Sequence, residues 1–505
     1  MDAPIVILDN GGATIKAGVV GVHQQPFIIP NAVVRSKGDK KTYVGHEFAQ
    51  CSDYSSLHFR LPVEKGFVTD WDAQKAVWDG VFSQDVLGIN TQQSSLILTE
   101  PYFNLPNIQT TYDQFVFEEY EFKSNCRRTP ASFAPYSPLF YSLGLPPPEC
   151  SLILDCGFSF SHAVPVINSH VQWYAVKRVP IGGKLLTNHL KSLLSFRQWN
   201  LMEQPAVINH AKETCCFVST DFAVDMERAR HDPGAALEYV LPDLTRSPHG
   251  HIRRSRAPRS DSGVASMRMD ILRLANERSA VPELLFTPGD IGLPHAGIAH
   301  AVAAAIAALP EDLRALFWAN IGLVGGSVKF LGFKERLMLE LESLAPTGCD
   351  VVIYNSDDPI TAPYHGAHAL ATSAPHALKF VTRAEYLEHG SRPHYGDWCR
   401  QTRAPRGRVR RDEAGERRGT GGDGEGGAHE GGGGARGGGG GGGGGRSGGD
   451  SGSEERSTES VMSSDSSEPE APRKRRKSVK SSEAGAGRGG GPGRGSSARQ
   501  GAGVP

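Results

Sequence analysis

The chain has 505 residues, more than one compact domain needs, so two or more folded units are expected on length alone. A formal net charge of -1 and a pI near 7.0 exclude any global argument for nucleic-acid or membrane affinity, and partners must be read locally. No apolar run reaches the ~18 residues of a membrane span, the start "MDAPIVILDNGG" lacks a basic leader region, and the eight cysteines show no C-x-x-C spacing, which argues against a disulfide framework or a zinc site.

In chain order, "PIVILD" and "ATIKAGVV" predict two short strands joined through Asn10-Gly11, a strong hairpin signal. The Trp and Phe residues of "VTDWDAQKAVWDGVF" recur at helical spacing and predict a core-facing helix. "SLILD" and "SHAVPVI" form a second strand pair of the first kind. "GIAHAVAAAIAALPEDLRALF" predicts a helix interrupted near Pro310, "NIGLVGG" a buried strand running into a Gly-Gly turn, and "FKERLMLELESL" an amphipathic helix. Alternating strands and helices place the chain in the α/β class. Beyond Gly390 the character changes to Gly, Ser and Arg, with an unbroken run from Gly437 to Gly445. Ordering a residue costs about 1–2 kcal/mol of backbone entropy, and this tail has few apolar side chains to offset it, so residues 391–505 are expected to be disordered.

One internal correspondence carries chemistry. Asp9 is followed two residues on by Gly11 and seven on by Lys16; Asp155 is followed by Gly157 and His162 at the same spacings. Two strands that each end in Asp-x-Gly and turn back into another strand suggest two related half-domains facing a common cleft. A tight glycine-containing hairpin gathers backbone N–H groups around an anion, and a lysine adds positive charge. Paired carboxylates, Asp9 and Asp155, would hold a divalent cation such as Mg²⁺ through water. Asn-Gly hairpins are common and usually bind nothing, yet a hairpin and a phosphate loop are compatible. His365 and His368 lie three apart but have no further ligands in the pattern, which argues against a metal there.

These residues resemble the actin and actin-related protein family, whose nucleotide lies between two hairpin phosphate loops. "TYVGHEFAQ", "LPVEKGFVTDWDAQKAVWDGVF", "LILTEPYFN", "VINHAKETCCFVSTDF", "DILRLANERSAVPELLFTPGDIGL" and "LVGGSVKFLGFKERL" look like family segments in family order, from about residue 4 to residue 375. The resemblance implies an actin-like fold of two lobes with two subdomains each. Lobe 1 would span 1–143, with 360–390 returning to it, lobe 2 would span 144–359, and a disordered tail 391–505 would follow. It implies a site for ATP or ADP with Mg. Asp9, Asn10, Gly11 and Lys16 match the first phosphate loop; Asp155 and Gly157 match the second, and His162 the histidine near the attacking water. Gly183 matches a residue near the ribose, and Lys212, Glu213, Gly325 and Gly326 match the adenine pocket.

Departures fall on the phosphate chemistry. Gly12 stands where actin has a serine, Ala13 where it has a glycine, and Phe158 where the second loop has another aspartate; the water-orienting glutamine falls near Ser137–Pro138, where none is present. Phosphoryl transfer depends almost wholly on positioning and electrostatics, and losing a positioned proton-transfer group costs ~10²–10⁴-fold. Weak or absent hydrolysis is therefore expected, and no catalytic residue is assigned.

Finer likenesses, "RSKGDKKTY", "TEPYFNLPNIQ", "FEEYEF" and "GGKLLTNHLK", point to the nuclear actin-related proteins. That resemblance implies a structural subunit of a Swr/SRCAP-type chromatin remodeller that exchanges a nucleosomal histone for the variant H2AZ and so regulates transcription. Implied partners are the remodeller motor, which supplies the ATPase, a small zinc-finger subunit, and histones of the nucleosome. A membrane role is not expected, because no apolar run is long enough to span a bilayer, and filament formation is not expected, because Cys51 to Arg60 occupies the family's most variable loop. Arg473, Lys474, Arg475, Arg476 and Lys477 form a compact basic cluster suited to nuclear import, which places the protein in the nucleus, with the cytoplasm as a second location. "HIRRSRAPRS" is either a solvated loop or a contact for DNA phosphates or an acidic histone surface. Rival readings are a genuine ATPase on the same fold and a cytoskeletal, filament-forming actin.

Overall fold

The computed structural model describes residues 3–140, 147–244, 249–253 and 270–391. The proposed import cluster Arg473 to Lys477, the tail, and most of the basic "HIRRSRAPRS" segment lie outside them.

Two mixed sheets repeat one plan. The first runs Val381–Thr382, Ser124–Arg128, Ser95–Thr99, Ile5–Asn10, Thr14–Val19, Phe27–Pro30, with the three strands Ser124–Arg128, Ser95–Thr99 and Ile5–Asn10 parallel. The second runs His170–Val171, Ser161–Ile167, Cys150–Cys156, Ile321–Val324, Ile353–Asn355, and its last three strands are parallel. Each sheet therefore has an antiparallel hairpin whose first strand opens a parallel series. The two half-domains suggested by the Asp-x-Gly spacing are these two sheets.

The strands read as near-continuous apolar runs because helices cover both faces. In Ile5–Asn10, Val6 and Leu8 pack with Val77, Trp78 and Val81 of the helix Trp71–Phe82, while Ile7 packs on the other side with Tyr364, Ala367 and Leu370 of the helix Ala362–Ser373. Late residues thus return to the first sheet, where Val381–Thr382 pairs with Ser124–Asn125. In the second sheet Leu152 and Leu154 face a core that includes Leu186, Ile208, Val302 and Phe333, and Ile153 faces a smaller cluster with Val164 and Phe140. The core assignment of Trp78 and Phe82 from helical spacing holds, since both are buried. Asp70 starts that helix by accepting from the Ala73 N–H at 3.1 Å. The predicted break near Pro310 separates the helix Ile298–Ala307 from Arg314–Trp318.

Each large sheet carries a small one: Val33–Ser36 with Lys41–Val44 and Leu57–Arg60 in the first lobe, Leu237–Val240 with His251–Ile252 and Ile271–Leu274 in the second. Among the described residues no helix is long and apolar enough to cross a membrane, and the seven described cysteines are free thiols.

The turn of the first hairpin differs from the two-residue Asn10-Gly11 turn that the dipeptide predicts. Asn10 is the last residue of its strand and pairs with Ile15, so four residues, Gly11 to Thr14, lie between the paired positions, Thr14 already belonging to the second strand through its pairing with Pro30. The Asn10 side chain explains the shift. Oδ1 accepts from Trp78 Nε1 at 3.2 Å and Nδ2 donates to Tyr112 at 3.1 Å, which pulls Asn10 into the buried layer behind the loop.

Candidate functional site

The two hairpins have the same register. Asp9 sits directly across from Lys16, and Asp155 directly across from His162; one step toward the loop, Asn10 faces Ile15 and Cys156 faces Ser161. The seven-residue spacing seen in the sequence is this cross-strand pairing around a four-residue connection. The loops come from opposite lobes and face each other across a cavity of about 840 Å³. Asp9, Asn10, Gly11, Lys16, Asp155, Gly157, His162, Gly183, Lys212, Glu213, Gly325 and Gly326 all border that cavity. Discontinuous stretches of sequence meet there, at the carboxyl ends of the parallel strands, the usual place for a ligand in such sheets.

The first loop is fixed from behind. Asn31 donates to the Gly11 carbonyl at 2.9 Å and accepts from Gln74 at 3.1 Å, both side chains being fully buried. Asp9 accepts from the Thr99 hydroxyl at 2.7 Å and pairs with Lys16 at 3.3 Å. The second loop is fixed by the helix Gly183–Arg197, whose first N–H groups donate into it, Gly183 to the Gly157 carbonyl at 3.0 Å and Lys184 to the Phe158 carbonyl at 2.8 Å. Gly325 has φ of 99° and approaches so closely that a β-carbon would lie 2.4 Å from the Cys156 carbonyl oxygen, so only glycine serves there.

The charged groups are strongly coupled to their surroundings. Burial pushes the Asp155 carboxyl up to about 6, opposed by a 3.0 Å hydrogen bond from the Tyr102 hydroxyl and reinforced by the negative charge of Asp9. A cation between the two carboxylates would reverse that last effect, and in this sense the pair suits a water-bridged Mg²⁺. Burial drives the His162 imidazole down to about 3, helped by the nearby Arg178 guanidinium. His162 is therefore neutral at physiological pH, and its Nε2 is buried with no hydrogen-bond partner among the described residues. Lys212 is 4% exposed and donates to the Gly183 carbonyl, the Thr187 hydroxyl and the Asn209 amide oxygen. Burial lowers its pKa. Asn209 also donates to Glu213 at 2.8 Å, so Lys212 and Glu213 are held in one network along the wall.

Sequence patterns passed over several residues of this site. Tyr102 donates to Asp155, accepts from the Ala131 N–H at 3.2 Å and lies 4.6 Å from the His162 ring, centroid to centroid. Its signal was positional: it follows Ser95–Thr99, the parallel neighbour of Ile5–Asn10, just past the carboxyl end. Lys65, Arg178 and Lys329 add positive charge to the cavity wall, and Arg178 is next to His162 in the register of an edge strand. Ser137 and Pro138, where the family's glutamine falls by sequence, do not border the cavity; Tyr102 and Pro130 do. The reason is local, since Ser137 closes a buried 3₁₀ turn by donating to the Ala134 carbonyl at 2.7 Å.

With this geometry in place, comparison with known proteins is direct. The Actin family model matches residues 2–397. The chain is 43% identical over 406 residues to the actin-like protein ARP6 of Cryptococcus neoformans, covering 77% of this chain and 83% of that one. It is 35% identical to actin-related protein 6 of Drosophila melanogaster, covering 76% and 97%, and 36% identical to actin-related protein 6 of Arabidopsis thaliana, covering 77% and 97%. Matching hairpins, a shared cleft and likeness across most of the chain agree: the chain belongs to the actin family, in its actin-related protein 6 branch.

Proposed function

We propose that the protein is a nuclear structural subunit of a Swr/SRCAP-type chromatin remodeller that installs the histone variant H2AZ, and that it holds ATP or ADP in its cleft with little or no hydrolysis. One observation carries the nucleotide half of this reading: the matched loops keep Asp9, Lys16 and Asp155 around one cavity, while Gly12, Phe158 and a neutral His162 stand where turnover needs polar, proton-moving groups. Lys16 would meet the phosphates, Asp9 and Asp155 would hold Mg²⁺ through water, and the wall of Lys212, Glu213, Gly325 and Gly326 would take the base. Bound nucleotide bridges two lobes and so stabilises the folded chain by mass action. The structural role and the partners rest on the family resemblance, in which the motor subunit supplies the ATPase.

The test is affinity purification of the tagged full chain from nuclear extract, with the co-purifying chains identified by mass spectrometry. Near-stoichiometric recovery of a Swi/Snf-class motor, a small zinc-finger protein and histones supports the proposal. Recovery of cytoskeletal proteins, or of the chain alone, overturns it. The retained carboxylates and Lys16 favour one rival, a slow ATPase, which measured phosphate release above background would establish.

A further inference from the structure

The strand Ser95–Thr99 ends in a short stretch, Thr99 to Tyr102, that serves both hairpin aspartates. At its start the Thr99 hydroxyl accepts from the Asn10 N–H at 2.9 Å and donates to Asp9 Oδ1 at 2.7 Å. At its end the Tyr102 hydroxyl accepts from the Ala131 N–H at 3.2 Å and donates to Asp155 Oδ2 at 3.0 Å. The two arrangements are alike. In each, a backbone N–H takes a lone pair of a buried hydroxyl and so leaves the hydroxyl proton to the carboxylate. Thr99 is 2% exposed and Tyr102 6%. The other Asp9 oxygen, Oδ2, meets Lys16 at 3.3 Å.

Tyr102 adds bulk as well as a donor. Asp155 and His162 are cross-strand partners, and the phenol lies against both, its hydroxyl on the carboxylate and its ring centroid 4.6 Å from that of the imidazole. A carboxylate that holds Mg²⁺ through water does so by accepting hydrogen bonds from the cation's water ligands. A phenol hydroxyl is a donor of the same kind, and the chain holds it in place. It therefore competes with such water for the Asp155 oxygens, while its ring excludes water from the space it fills beside His162. Positive charge for a polyanion is available from the chain itself, since Lys16, Lys65, Arg178 and Lys329 border the cavity.

We propose that Tyr102 sets the cation requirement of the cleft: by capping Asp155 it makes nucleotide affinity nearly independent of Mg²⁺. This rests on the nucleotide reading above and adds to it the residue that decides how much the cation contributes. The phosphates are met chiefly by lysine and arginine, and Mg²⁺ is held only as far as its water displaces the phenol hydroxyl. Thr99 has less to decide, because Lys16 already neutralises the carboxylate it serves.

Equilibrium binding of etheno-ATP to the full chain, in excess MgCl₂ and in EDTA, tests the proposal. In the wild type the two affinities should agree within about twofold, less than one net hydrogen bond contributes. Tyr102→Phe keeps the ring and removes the donor, and its affinity in MgCl₂ should exceed that in EDTA about tenfold, the scale of one net hydrogen bond. Asp155→Asn in the Tyr102→Phe background should cancel that difference, as a gain made at Asp155 requires and a general repacking does not. A wild type that loses about tenfold or more in EDTA overturns the proposal, and so does a Tyr102→Phe protein with no greater dependence on Mg²⁺. Failure of the wild type to take up etheno-ATP in either medium refutes the nucleotide reading instead. Melting curves with MgCl₂ alone then decide the cap: the salt should raise the melting temperature of Tyr102→Phe more than that of the wild type, and equal shifts overturn it.

Discussion

Phe158 and Gly12 face each other across the cavity from opposite lobes: the position of a β-carbon on Gly12 lies 3.5 Å from Cδ1 of the Phe158 ring, 3.4 Å from Val63 and 3.1 Å from the Ser159 hydroxyl. Of these only the Ser159 hydroxyl is closer than ordinary contact, so a side chain at Gly12 would have to displace it. The ring borders that position at ordinary contact distance, so the two departures from the family pattern are neighbours in space. Gly12→Ser alone should destabilise the chain by about 1 kcal/mol through overpacking, and combining it with Phe158→Asp should recover part of that loss. A double-mutant cycle by urea denaturation measures the coupling, and additive effects would mean that the two positions do not sense each other.

Asp9 and Lys16 form a nearly buried pair, their side chains 6% and 10% exposed. Lys16→Met leaves the carboxylate facing only the Thr99 hydroxyl. Removing one partner of a buried pair costs about 3–5 kcal/mol, so a large fall in the denaturation midpoint is expected. Asp9→Asn in the same background removes the stranded charge and should restore part of the stability without restoring affinity for nucleotide. A Lys16→Met protein as stable as the wild type would show that Asp9 finds another cation.

Much of this was legible because strand and turn signals are local. The matched spacings of Asp9 with Lys16 and of Asp155 with His162 announced two related hairpins, but not their register, since an Asn10-Gly11 turn would set Asp9 opposite Gly12 instead of Lys16. What spacing misses is the use of a side chain at long range. Asn10 looks like a turn residue, but Trp78 and Tyr112, far away in the chain, claim its amide and turn it into part of the core. Tyr102 is silent in the same way, since its hydroxyl acquires meaning only when Asp155 and Ala131 arrive on either side of it. The hydrogen bonds between the lobes, Tyr54 N–H to the Leu244 carbonyl and the Gln204 amide to the Ser55 carbonyl, were hidden because the first lobe contributes only backbone groups, which no residue identity encodes.

Asp155 and His162 give stability opposite dependences on pH. The folded chain holds the Asp155 proton up to about 6, against 3.8 for an ordinary aspartic acid, so its contribution is full below pH 3.8 and is lost as pH rises through 6. The His162 imidazole falls from 6.5 to about 3, so its contribution is full above pH 6.5 and is lost as pH falls toward 3. Asp155→Asn should therefore leave the melting temperature nearly unchanged near pH 4 and raise stability by about 3 kcal/mol well above pH 6, with Asn still accepting from Tyr102. His162→Gln should flatten the acid limb of the wild-type curve. Melting curves from about pH 4 to 8 decide both, and an Asp155→Asn protein that is less stable at neutral pH would show that a cation already compensates the charge.

The same imidazole bears on turnover. A general base works best when its pKa lies near the operating pH, and a ring held at about 3 takes a proton from water poorly at pH 7. Tyr102 cannot substitute, because burial and the Asp155 carboxylate beside it hold its hydroxyl well above the ordinary phenol range, and that hydroxyl already donates to Asp155. Phosphate release by the full chain should accordingly stay at background from about pH 5.5 to 8.5, and His162→Gln should change it less than twofold. A rate that rises with an apparent pKa near 6 and disappears in His162→Gln would mean that the imidazole is more basic than its burial allows, with phosphate or water reaching Nε2. In that event Phe158 and Gly12 narrow the cleft without silencing it, and the chain is a slow ATPase.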